Sequence, residues 1–219
     1  MPAVETAGRA MKQVSMALIL DRLKTFDAEL QAARDRISHL EQQIETDPLL
    51  EILNRRGFER ELNRALAHVK RYRATAGLIF IDLNNFKTIN DRHGHLAGDA
   101  MLKAVASALN SHTRASDVVG RFGGDEFVLL LWNATERHVR AKAREHEAMI
   151  GALEVSFSGK TLRAHATAGV AMLDPRNSAT RIVERADADM YARKINKPRG
   201  IKVARGRSRA TADRPQLRA

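Results

Sequence analysis

Three acidic residues stand in surroundings that suit chemistry: Asp82, Asp125 and Glu126. Asp82 falls near the end of Gly77-Leu78-Ile79-Phe80-Ile81-Asp82-Leu83, an apolar run of the kind that forms a buried central strand. Asp125 and Glu126 follow Gly123 and Gly124 in a turn between two apolar stretches. Pairing of that hairpin beside the Asp82 strand would bring the three carboxylates to one end of a sheet. Like charges about 4 Å apart repel by roughly 4 kcal/mol at an effective dielectric near 20. Such a site needs a proton or a cation, and its hard oxygen ligands suit Mg²⁺, or Mn²⁺. The two glycines have no Cβ, so they admit unusual dihedrals and let backbone approach a ligand closely, as a metal–triphosphate group requires. Taken alone, the turn fits a plain hairpin with solvated acids equally well.

The elements that must position these acids follow from periodicity. Residues 118–122 and 126–132 read as a hairpin. A helix is predicted from Phe58 to about Arg73, with Phe58, Leu62, Leu66 and Val69 on its apolar face. A second is predicted over 100–109, with Asp99 as its N-cap and Asn90 in the turn before it. A charged helix over 135–153, strands over 155–157 and 162–173, a last helix over 178–194 and a short edge strand over 201–203 complete the series. Strands and helices joined by both hairpins and crossovers define an α+β fold with a central, mostly antiparallel sheet. Ahead of it, Met16, Ile19, Leu23, Phe26, Leu30, Ala33, Ile37, Leu40 and Ile44 alternate steps of three and four. That narrow seam predicts a long N-terminal coiled-coil helix over 1–46, suited to homodimerisation, with a single amphipathic helix packed on its own domain as the alternative.

Several motifs occur in order. Arg121-Phe122-Gly123-Gly124-Asp125-Glu126-Phe127 is preceded by Asp82-Leu83-Asn84-Asn85-Phe86-Lys87-Thr88-Ile89-Asn90-Asp91 and by Gly94-His95-Leu96-Ala97-Gly98-Asp99. Together they resemble the GGDEF diguanylate cyclase family, over residues 47–203. The resemblance implies a nucleotidyl-cyclase-like domain that condenses two GTP into cyclic di-GMP and pyrophosphate, acting as a dimer with Mg²⁺. It implies Asp82, Asp125 and the carbonyl of Leu83 as metal ligands, and Asp125 or Glu126 as proton acceptor. Asn90 and Asp99 would hold the guanine edge, with His95, Lys87 and Lys194 also on the substrate. Arg114 and Asp117 match an R-x-x-D site where product inhibits many family members; the same spacing also suits a surface ion pair.

Departures are local. Leu50 and Glu51 replace Thr and Gly in the segment leading into the domain, so Glu51 would be strained if that position needs φ > 0. Near the end of the last helix, Arg193, Lys197 and Pro198 replace Ala, Gly and Arg, and Arg199 lies one residue late.

The 219 residues carry a formal charge of +11 and no cysteine, which excludes a disulfide framework and Cys-based zinc sites. Residues 204–219 read as a basic disordered tail carrying Arg205, Arg207, Arg209, Arg214 and Arg218. A nucleic-acid partner is disfavoured, because aromatics make up only 5% of the chain and give few stacking platforms. No run is long and apolar enough for a membrane span, and a cytoplasmic location is expected. No recognisable sensory domain is expected ahead of the helix, and any regulation is expected from a protein partner, from assembly or from product. The rival reading is a catalytically inactive GGDEF-like domain that binds GTP or cyclic di-GMP and signals through a protein partner.

Overall fold

The structure is a computed structural model that describes residues 22–37 and 45–196. Residues 22–37 form a helix, α1. It is followed by α2 (Arg55–Tyr72), β1 (Ala76–Asn84), α3 (Phe86–His93), α4 (His95–Ser111), β2 (Val118–Arg121), β3 (Glu126–Trp132) and α5 (Glu136–Ala152). The chain then continues through β4 (Val155–Phe157), β5 (Lys160–Leu162), β6 (His165–Met172) and α6 (Ala179–Asn196).

The main sheet has the order β2-β3-β1-β6, and every pairing within it is antiparallel. β1 is central because its side chains are apolar on both faces. Ile79, Ile81 and Leu83 join one core with Phe127, Leu129, Met101 and Ile150, which lies against α3, α4 and α5. Leu78 and Phe80 join the other core with Val128, Phe58, Leu62 and Ile182, beneath α2 and α6. Phe58 is fully buried, and removing such a side chain from water contributes about 2–3 kcal/mol. α6 comes very close to the sheet: a Cβ on Gly169 would lie 2.1 Å from the Met190 nitrogen and 2.2 Å from the Ala186 oxygen. Only glycine allows that approach, and it brings the end of α6 over β1.

Among the described residues, the outer edge of β6 is closed by side chains rather than by another strand. Glu147 accepts the Ala168 N–H at 2.8 Å, Asp189 accepts that of Val170 at 2.9 Å, and Arg193 donates to the Ala168 carbonyl. Arg193 also reaches Glu147 at 3.2 Å, and Arg140 reaches Asp189 at 3.3 Å. Capping by charged groups keeps an edge strand from pairing with another chain. It also gives the unexpected Arg193 a structural task.

Four expectations need correction. The strand over 162–173 is broken at Arg163 and Ala164, giving β5 in a separate two-stranded sheet and β6 in the main one. The helix expected from Phe58 begins at Arg55, where Asn54 accepts the Gly57 N–H at 3.0 Å as its cap. Asp99 is not an N-cap: α4 begins at His95 with Gly94 before it, so Asp99 lies inside the helix. Asn90 stands on α3 rather than in a turn. Gly94, with φ 84, joins α3 to α4 by itself, so the sequence stretch that looked like a loop is mostly helix. The expected strand over 201–203, the basic tail, Arg199 and the ends of the heptad seam lie outside the described residues.

Candidate active site

β1 and β3 pair so that Asp82 faces Glu126 directly, and the Leu83 N–H donates to the Asp125 carbonyl at 3.2 Å. The acids from the central strand and the hairpin therefore share one end of the sheet. Lys194, from the last turns of α6, donates to Asp82 at 2.5 Å. Asp82 and Lys194 are 17% and 40% exposed, so the pair is open to exchange with solvent ions.

The electrostatics reflect that crowding. Burial first, then the Asp82 charge, raises the carboxyl pKa of Asp125, while Lys194 and Arg121 oppose the rise. Glu126 is raised by burial and then by Asp82, Asp125 and Asp187. Among the described residues no group of three or more His, Cys, Asp or Glu side chains forms a metal cage. The donor set still fits Mg²⁺, which is commonly held by one or two carboxylates together with substrate phosphates. Two carboxylates and a nearby strand-end carbonyl supply hard oxygens, and neighbouring carboxylates add to burial in raising the Asp125 and Glu126 pKa values.

The turn is shaped by Arg121, which sequence reasoning passed over. Its Nε donates to the carbonyls of Gly123 and Gly124 at 3.1 and 3.2 Å, and its Nη2 to Gly124 at 2.7 Å. Its Nη1 reaches Asp47 at 3.0 Å, tying the turn to the segment that leads into the domain. Arg121 stands two residues before the glycines, but its bond to Asp47, 74 positions away, is set by the fold. The glycines themselves differ from expectation, because neither has positive φ. A Cβ on Gly124 would meet nothing within 4 Å, whereas one on Gly123 would lie 2.4 Å from a Glu126 carboxylate oxygen. Gly124 thus leaves open space beside the acids.

Asn90 and the start of α4 meet across the α3–α4 corner. A Cβ on Gly98 would lie 1.9 Å from Asn90 Oδ1, so the amide packs directly on the glycine that precedes Asp99. Asn90 Oδ1 is buried with no hydrogen-bond donor among the described residues. An unpaired buried acceptor costs about 1–3 kcal/mol, which a ligand donor can recover. His95 is exposed at the start of α4 and Lys87 is exposed on α3.

Arg114 and Asp117 precede β2. No ion pair joins them: Asp117 accepts the Trp132 N–H at 3.0 Å, and Arg114 is exposed. The surface ion pair that their spacing allowed is not formed.

An α+β domain with acids gathered at one end of an antiparallel sheet is the arrangement that the resemblance to nucleotidyl-cyclase-like domains implied. The comparisons make it specific: the family described as "Diguanylate cyclase, GGDEF domain" matches residues 44–199, and the chain belongs to that family. It is 35% identical over 185 residues to the probable diguanylate cyclase DgcE of Escherichia coli K12, covering 84% of this chain but only 16% of that protein. The solved coiled coil and GGDEF domain of DgcB from Caulobacter crescentus, in complex with c-di-GMP, is similar at 26% identity and TM-score 0.67. That match covers 82% of this chain and 95% of the other. Diguanylate cyclase SiaD from Pseudomonas aeruginosa, solved with its activator SiaC, matches at 28% identity and TM-score 0.68, over 89% of this chain and 74% of that one. Among the described residues no helix is long and apolar enough to cross a membrane.

Proposed function

We propose that the chain is a working diguanylate cyclase, condensing two GTP into cyclic di-GMP and pyrophosphate as a homodimer with Mg²⁺. The observation that carries this reading is the register pairing of Asp82 with Glu126, with Asp125 on the same turn. Bound dications would supply charge neutralisation at the phosphates, with Asp82, Asp125 and the Leu83 carbonyl as their ligands. Asn90 and Asp99 bind the guanine edge. An aspartate accepts from both the ring N–H and the amino group of guanine, a pairing adenine cannot offer. His95 and Lys87 border the nucleotide.

The 3′-hydroxyl oxygen of one GTP attacks the α-phosphorus of the other. A new P–O bond forms, the bond to pyrophosphate breaks, and the hydroxyl proton passes to Asp125 or Glu126. The raised pKa of both carboxyls brings them nearer to working pH, as a proton acceptor requires. Lys194, released from Asp82, turns to the triphosphate. A second such step between the same two nucleotides closes the ring.

Each domain supplies half of the site, so two chains must meet. Leu23, Phe26, Leu30 and Ile37 of α1 are between 51% and 65% exposed in the single chain, an apolar seam suited to a second copy. Arg114 and Asp117 form an inhibitory product site. SiaD's complex with an activator supports a protein regulator as a further partner.

The test is incubation of purified protein with GTP and Mg²⁺, followed by nucleotide chromatography. Cyclic di-GMP and pyrophosphate should appear, and Asp125→Ala should lower turnover at least about 10³-fold. Tight GTP binding without product would make the chain a nucleotide sensor instead.

A further inference from the structure

Two cavities carry opposite charge. One, of about 450 Å³ between α2 and α6, is lined by Glu59, Glu126, Glu184 and Asp187, with Arg55 the cation among its described lining residues. The other, of about 260 Å³, lies between α3 and the β5–β6 segment and is lined by Arg92, His93, Arg163 and His165, with no carboxylate among its described lining residues. It is smaller than the roughly 300–1,000 Å³ typical of sites for drug-sized ligands. That suits one or two phosphate groups better than a whole nucleotide.

Its basic side chains come from separate elements. Arg92 and His93 end α3, Arg163 stands in the break between β5 and β6, and His165 opens β6. Arg163 donates to Glu154, which does not line the cavity. Among the described residues Arg92, His93 and His165 have no side-chain partner. Asn85, Thr88 and Thr161 add polar groups to the wall. Among the described residues Arg92 has no acidic partner and Arg163 shares one outside the cavity, so a small oxyanion between the two guanidinium groups lowers their repulsion. Guanidinium groups match phosphate oxygens with paired N–H donors.

The cavity is distinct from the proposed nucleotide site. Thr88, Ile89 and Arg92 face it, whereas Asn90 packs toward Gly98 on the α4 side of the same helix. We propose that this cavity binds a free phosphate-class oxyanion, inorganic phosphate or pyrophosphate, held by Arg92 and Arg163 with His93 and His165. An anion there bridges α3 to the β5–β6 segment and braces the helix that carries Asn90. Asn85, which precedes α3 at φ 59, is the corner it would steady.

The experiment is nuclear magnetic resonance of histidine-labelled full chain, titrated without metal with phosphate, pyrophosphate or GTP. Phosphate or pyrophosphate should shift the His93 and His165 imidazole signals saturably. Binding should weaken about ten-fold in Arg92→Gln and in Arg163→Gln, and persist in Lys194→Ala and Asp125→Ala. Persistence in the last two keeps the result independent of whether the chain turns over GTP. Absence of a saturable shift would overturn the proposal. So would shifts produced by GTP alone or lost in Lys194→Ala, since either would return the anion to the nucleotide site.

Discussion

At the scale of single residues, the acids at the sheet end gain their character from where the backbone puts them. Asp82 is opposed to Glu126 by strand register, and Asp125 is raised by burial and by Asp82. Arg121 shapes the turn by holding the carbonyls of Gly123 and Gly124. A methyl group on Gly124 would have no neighbour within 4 Å, and the φ there is not positive, so the fold itself does not demand glycine at this position. Gly124→Ala should therefore keep its melting temperature within about a degree or two while losing about ten-fold or more in turnover. Circular dichroism melts beside an activity assay check this. A large drop in stability with activity retained would mean the glycine serves the hairpin rather than the substrate.

At the scale of elements, α5 contains a group that ties stability to pH. Its buried stripe is Val139, Ala143, His146 and Ile150, and both ring nitrogens of His146 lack partners among the described residues. Burial, with Lys142 next and His112 beyond it, lowers the His146 pKa from 6.5 to about 4, against a smaller opposing pull from Glu145. The unfolded chain then binds the proton more readily than the folded one. Stability is full above the unfolded value and falls as pH drops from about 6.5 toward 4. His146→Leu should flatten that loss, seen as a smaller change in melting temperature between about pH 7 and about pH 5. An unchanged pH profile would show that His146 is not its source.

Most elements were readable from periodicity because burial on one or both faces imposes it: the β1 run, the β2–β3 hairpin and the α2 face all follow that pattern. What could not be read were features decided by contacts distant in sequence. The single-glycine corner at Gly94 turns an apparent loop into two helices, and so moves Asn90 and Asp99 from turn and cap to helix faces. The break at Arg163 and Ala164 interrupts an otherwise strand-like run. Arg193 looked like a flaw in a motif, yet it closes the β6 edge together with Glu147. Glu51 adopts φ 57, the strain that its replacement of glycine implied. The acidic residues of the site were legible from motif order, whereas the clamp by Arg121 and Asp47 required the fold.

At the scale of the whole molecule, the proposed function gives each domain half a site, and the exposed seam of α1 is the proposed means of recruiting a second copy. A helical pairing can raise the mutual concentration of two catalytic domains toward the millimolar range. Removing residues 1–46 should therefore leave activity that falls steeply on dilution, while the full chain holds its specific activity. Specific activity measured over roughly a hundred-fold concentration range distinguishes the two. Equal behaviour of both proteins would separate α1 from dimerisation.

The proposed dication site can be tested directly by electron paramagnetic resonance of Mn²⁺ with a non-hydrolysable GTP analogue. Mn²⁺ should bind the full chain with the nucleotide present and weaken at least about ten-fold in both Asp82→Asn and Asp125→Asn. Unchanged Mn²⁺ affinity in either variant would contradict the arrangement from which the chemistry follows.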